Sequence, residues 1–142
     1  MKEKMKRVEI VLVLVVLLSL ALIAVAACTT DAMSPGRIEL SATEFDFGTI
    51  PNTGPVSQAF QVRNGGQGML EIAGVSTSCG CTTAEIDSRS LAPGEATDLV
   101  VTYDPQAHDG ATGEFMRLVY VRSSDPETPE AILTIWVTVV EP

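Results

Sequence analysis

From Arg37 onward, apolar side chains recur at every second position in short runs, and Gly, Pro or Asn cuts every run. A period of two belongs to strands, where successive side chains point to opposite faces, whereas a helix repeats every ~3.6 residues. Phe45 and Phe47 share one face, as do Phe60 and Val62, Leu70 and Ile72, and Leu99, Val101 and Tyr103. The last run places Leu133, Ile135, Val137 and Val139 together. Turn chemistry separates the runs at Pro51–Pro55, Asn64–Gly68, Leu91–Glu95 and Asp125–Pro129. In Asn64-Gly65-Gly66-Gln67-Gly68, tolerance of positive φ is the expected reason for the composition. About seven strands in roughly 105 residues predict an all-β fold, a single Ig-like β-sandwich. Residues 37–142 suffice to bury a core without a disulfide or metal. Trp136 is out of phase with Leu133 and Ile135, on the Ile132-Thr134-Thr138 face, and reads either as a partly exposed aromatic or, the favoured reading, as filler against a loop.

The N-terminus is a different material. Lys2, Lys4, Lys6 and Arg7 precede an apolar run, Ile10 to Ala27, relieved only by Ser19. The run ends Val25-Ala26-Ala27-Cys28. Residues 1–27 therefore read as a cleaved export signal, and small residues before a cysteine make it resemble a bacterial lipoprotein signal. That resemblance implies diacylglycerol on Cys28, the predicted lipidation site. A plain transmembrane anchor is the competing reading, since 18 apolar residues barely span a bilayer. Either way the positive flank stays inside and the domain is exported. Residues 28–36 would be a lipidated tether; its eight residues from Thr29 to Gly36 reach at most about 28 Å. The expected place is the cell membrane or outer membrane, on the extracytoplasmic side.

Without residues 1–27 the chain keeps five arginines, no lysine and sixteen acidic residues, a net charge of −11. Such a surface repels nucleic acid and anionic headgroups. A single histidine, His108, and no serine elbow leave no hydrolase triad. Gly65-Gly66-Gln67-Gly68 lacks the Lys-Ser/Thr and helix of a phosphate loop.

With Cys28 acylated, only Cys79 and Cys81 remain for thiol chemistry. They lie in Ser78-Cys79-Gly80-Cys81-Thr82, between two predicted strands. In an extended backbone the two would project side by side, while Gly80 permits a bend between them. A structural pair, two thiols or a strained local disulfide packed at a strand kink under a loop, is one reading, as buried cysteine behaves like a small hydrophobe. A soft-metal site is a second. Two thiolates suit Cu(I), with His108, Met69 and Met116 as the nearest additional donors. Redox exchange is a third. An extended triplet places the Cα atoms near the limit for bridging, and no neighbouring base or helix N-terminus is visible to activate a thiol.

Three landmarks also line up: Phe45-Asp46-Phe47-Gly48-Thr49-Ile50, then Val75-Ser76-Thr77-Ser78-Cys79-Gly80-Cys81-Thr82, then Leu91-Ala92-Pro93-Gly94-Glu95 with Val100-Val101-Thr102-Tyr103-Asp104. In this order they resemble the bacterial exported family catalogued as domain of unknown function 1573. The resemblance implies an Ig-like sandwich related in shape to ciliary and major-sperm-type domains, without an established activity. The expected function is a lipid-anchored, non-enzymatic module that binds an unknown envelope protein or supports envelope architecture, with no cofactor. The alternative is a thiol site at Cys79 and Cys81 for copper or redox exchange.

Overall fold

The computed structural model describes residues 34–108 and 110–142. The apolar leader, Cys28 and the start of the tether lie outside the described residues. The strands are β1 (Ile38–Leu40), β2 (Glu44–Pro51), β3 (Val56–Asn64), β4 (Leu70–Thr77), β5 (Thr82–Ile86), β6 (Ser90–Leu91), β7 (Ala96–Tyr103), β8 (Gly113–Ser123) and β9 (Glu130–Val140). Four form one sheet, ordered β1-β3-β7-β5; five form the other, ordered β2-β9-β8-β4-β6. All pairings are antiparallel except β2 with β9. The sandwich expected from the alternation is present. Its count rises from about seven to nine because β1 and β2 serve different sheets and β6 is a two-residue strand.

The inward residues are those that the period of two selects. Phe60, Val62, Leu70, Ile72, Leu99, Val101, Leu133, Ile135, Val137 and Val139 are all buried. Each fully buried Leu or Ile contributes about 1.5–3 kcal/mol. Phe45 packs edge-on against Phe47 and Phe60, with ring centroids 5.1 and 5.3 Å away. The phase of β2 shifts at Gly48, whose φ is +72°. The Asp46 side chain accepts the Gly48 amide at 2.8 Å and holds that irregularity.

Asn64 is fully buried at the end of β3. Its Oδ1 accepts the amides of Arg37 (3.1 Å) and Gly66 (2.9 Å), and its Nδ2 donates to the carbonyls of Gly68 (2.7 Å) and Leu91 (2.9 Å). The glycines that follow it do not adopt positive φ. Close approach is the reason they are glycine: a Cβ on Gly66 would collide with the Pro35 carbonyl and the Arg37 nitrogen, and one on Gly68 with the Ser34 carbonyl. The segment leading into β1 thus lies directly on this turn.

Candidate functional site

Thr77 ends β4 in the five-stranded sheet, and Thr82 begins β5 in the four-stranded sheet. The chain changes layer through Ser78-Cys79-Gly80-Cys81, which is a turn: the bend that Gly80 permits, and not the extended alternative. The Thr82 amide donates back to the Cys79 carbonyl at 3.4 Å. Bending brings the two Cα atoms to 5.3 Å, inside the ordinary range for a bridge, and Cys79 and Cys81 form a disulfide. The expected geometric obstacle to bridging disappears because turning, unlike extension, shortens the triplet.

Both layers hold this turn. On the β8 side, the Ser78 amide donates to the Leu118 carbonyl at 2.9 Å, and the Leu118 amide donates to Ser78 Oγ at 3.0 Å. On the β7 side, the Asp104 amide donates to the Cys81 carbonyl at 2.8 Å. The Thr77 hydroxyl lies 3.0 Å from the Cys79 carbonyl and 2.8 Å from that of Thr82. Gly80 has open space where a Cβ would stand and no positive φ.

The two sulfurs have unequal surroundings. Cys81 is 1% exposed, whereas Cys79 is only partly buried. Arg117 of β8 points Nε at Cys81 Sγ, 3.0 Å away. The Thr82 hydroxyl sits 3.6 Å from the Cys79 sulfur and 3.7 Å from the Cys81 sulfur. Arg117 also donates to the Met116 carbonyl at 2.9 Å and lies 5.0 Å from the centre of the Phe115 ring. Among the described residues, the two ion pairs are Arg37–Glu127 and Arg63–Glu39; neither involves Arg117. Buried Tyr103, cross-strand from Thr82, has its phenol pushed up by burial, with the Arg117 charge acting against that shift.

Ser78, Cys79, Gly80, Cys81 and Thr82 therefore form one local site, as their adjacency requires. Arg117 is the residue that sequence reasoning missed. It stands 36 positions after Cys81, so no local motif contains it. The available signal was its phase: Arg117 falls among Phe115, Val119 and Val121, on the face that should be apolar. The expected methionine donors are not brought together. Met116 is exposed on the opposite face of β8 from Arg117, and Met69 precedes β4, eight residues before its Thr77 end. His108 closes the 3-10 turn Pro105–His108. Among the described residues, no group of three or more His, Cys, Asp or Glu side chains is arranged to hold a metal ion.

A second feature is the outer face of the five-stranded sheet. Trp136 is 47% exposed there, opposite Met116, as the partly exposed aromatic of the two readings. Its strand presents every second residue outward, and among the described residues no further strand layer covers that face. Ile132 lies opposite Tyr120, and Thr134 opposite Leu118. Asp46 flanks Trp136 from β2.

This architecture recurs in solved structures. A protein of unknown function from Porphyromonas gingivalis W83 is 27% identical, with a TM-score of 0.68, over 80% of this chain and 50% of that one. VesB protease from Vibrio cholerae is 19% identical, with a TM-score of 0.60, over 71% of this chain and 31% of that one. PapD-like domain 7 of human CEP192 is 12% identical, with a TM-score of 0.59, over 81% of this chain and 92% of that domain. The latter two similarities concern fold alone. This chain spans half of the Porphyromonas chain or less than a third of the protease, so neither whole protein's properties transfer to it. No curated protein matches the sequence. The family described as "Protein of unknown function (DUF1573)" matches residues 38–139, from β1 into the last residues of β9, and the chain belongs to that family.

Proposed function

We propose that this protein is a lipid-anchored, extracytoplasmic Ig-like module with a non-enzymatic binding role, tethered through Cys28 and docking an envelope protein on its outer sheet face. The observation that carries the binding role is the outward strip in which Met116, Ile132 and Trp136 are exposed and Leu118 and Tyr120 half-buried. Aromatic residues and methionine are enriched in protein interfaces, and charge is confined to the rim. Asp46 and Glu114 border this strip at one end, while at the other Glu130 stands opposite Arg122, so a partner with basic residues beside the Trp136–Met116 end of an apolar patch fits it. The anchoring rests on the positive flank, apolar run and Ala26-Ala27-Cys28 in the sequence.

Two measurements test the parts separately. Radioactive palmitate should label the protein in cells, and Cys28→Ala should abolish the label; continued labelling rules out acylation at Cys28. A photo-crosslinking residue replacing Met116 should capture a discrete envelope protein. Trp136→Ser should remove that adduct while leaving the urea midpoint nearly unchanged. An adduct insensitive to this substitution would sink the proposed surface. Thiol chemistry at Cys79 and Cys81 is a second reading; its redox-exchange form is favoured by the 3.0 Å approach of Arg117 to Cys81, a cation that works against copper binding there.

A further inference from the structure

We infer that the Cys79–Cys81 disulfide is a polarised thiol–disulfide exchange site: Cys79 takes the attack of a protein dithiol, and Cys81 departs toward Arg117. The inference rests on the redox form of the second reading, which it makes specific, and is independent of the sheet-face binding role.

Exchange proceeds by in-line attack of a thiolate on one sulfur and expulsion of the other, so access and leaving-group stabilisation select the reactive end. Both criteria choose the same sulfur here. Cys79 is the accessible one, and Cys81 is sealed at 1% exposure. Charge released on Cys81 appears 3.0 Å from a guanidinium and beside the Thr82 hydroxyl. Charge-assisted hydrogen bonds are stronger than those to a neutral acceptor. Arg117 therefore gains more from a thiolate than from the disulfide it now faces.

The placement of this arginine supports the same conclusion. Arg117 stands on the inward side of β8 and is partly buried, with one terminal nitrogen remaining at the surface. Arg117 meets a sulfur, a backbone carbonyl and an aromatic ring, with no carboxylate ion pair among the described residues. Access for a macromolecular thiol is provided by the adjoining edges. β5 is the outermost strand of its sheet, and β4 has β6 beside it only at Leu70 and Glu71. An extended segment can align on such an edge.

The steps balance. A thiolate of the partner dithiol attacks Cys79 Sγ; the Cys79–Cys81 bond breaks, and Cys81 leaves with the electron pair as a thiolate. The partner's second thiolate then attacks its own sulfur in the mixed disulfide and releases Cys79 as a thiolate. The partner dithiol is oxidised by two electrons, this disulfide is reduced by two, and the partner's two protons remain available to the new thiols. The exchange is stoichiometric, and a disulfide of the same class reverses it.

The full chain carrying Cys28→Ser, purified in detergent, leaves Cys79 and Cys81 as the remaining cysteines. Reduced glutathione is the probe. After a brief reaction, acid quenching and alkylation, fragmentation should place glutathione on Cys79 and the alkyl group on Cys81. At equilibrium with glutathione and its disulfide, Arg117→Gln should require about tenfold more reducing conditions for half-reduction, with Arg117→Lys between it and the parent. A purely structural arginine would lower the melting temperature without moving that ratio. Glutathione on Cys81, an even division, or an Arg117→Gln ratio equal to the parent's overturns the inference. So does a pair that opens only after denaturation, or a chemically reduced chain that retains one Cu(I) and does not exchange. If Arg117→Gln does not fold, mapping the adduct in the parent decides alone.

Discussion

Asp125 is 3% exposed and still carries its charge. Burial pushes its carboxyl upward, but the amides of Ile38, Glu127 and Thr128, with Arg37 beyond them, outweigh this and hold it below the usual carboxylate range. Oδ2 accepts Ile38 and Oδ1 accepts the other two, so the carboxylate ties the β8–β9 turn to the first strand. Asp125→Asn retains one oxygen and turns an N–H₂ toward a donor. The expected loss is about 1–3 kcal/mol at neutral pH, measured by urea unfolding. A depressed carboxyl contributes stability above its unfolded pKa and loses it as pH falls through the folded value. The difference between Asp125→Asn and the parent should therefore shrink as pH falls below about 4. A difference independent of pH would place the cost in packing and not in charge. Asn64 is the neutral counterpart, with all four side-chain contacts directed at backbone atoms.

At the scale of elements, two glycine-bearing turns make opposite demands. Gly66 lies against Pro35 and Arg37 backbone atoms, so Gly66→Ala must displace main chain. A cost of about 1–3 kcal/mol is expected, as for overpacking elsewhere. Gly80→Ala meets open space without positive φ and should stay within about 0.5 kcal/mol of the parent. Equal effects in urea melts would contradict the structure. The disulfide around Gly80 closes a very short ring, for which the loop-entropy relation gives only about 1.6 kcal/mol. The Ser78 hydrogen bonds and the Asp104 amide already pin this turn to both layers. Replacing Cys79 and Cys81 together by alanine should therefore cost about 2 kcal/mol and leave a folded sandwich. Collapse of the fold in that double variant would make the bridge a structural staple.

For the whole molecule, topology governs how the sandwich is reached. The parallel pairing of β2 with β9 joins Phe45 to Ile135, and β1 closes on the end of β3 only after the intervening chain has turned. Such pairings must first bring distant segments together, so refolding after urea dilution should take milliseconds to seconds. Stopped-flow tryptophan fluorescence, reporting through Trp136, measures this; microsecond folding would contradict it.

Most of the architecture was legible before any coordinates, because strand periodicity is local. Alternation at Leu99-Val101-Tyr103 and at Leu133-Ile135-Val137-Val139 already names the buried face, and Gly/Pro/Asn clusters already name the reversals. The order of strands within sheets and the division between β1 and β2 were not legible, and the choice between an extended and a bent Cys79-Gly80-Cys81 stayed open. Each depends on partners far along the chain. Arg117 beside Cys81 depends on the β4–β5 turn crossing layers next to β8. Short-range residue order therefore determined which side chains face inward and where the chain turns. Only tertiary packing decided what those side chains meet, since contacts between distant strands leave no periodic trace in sequence.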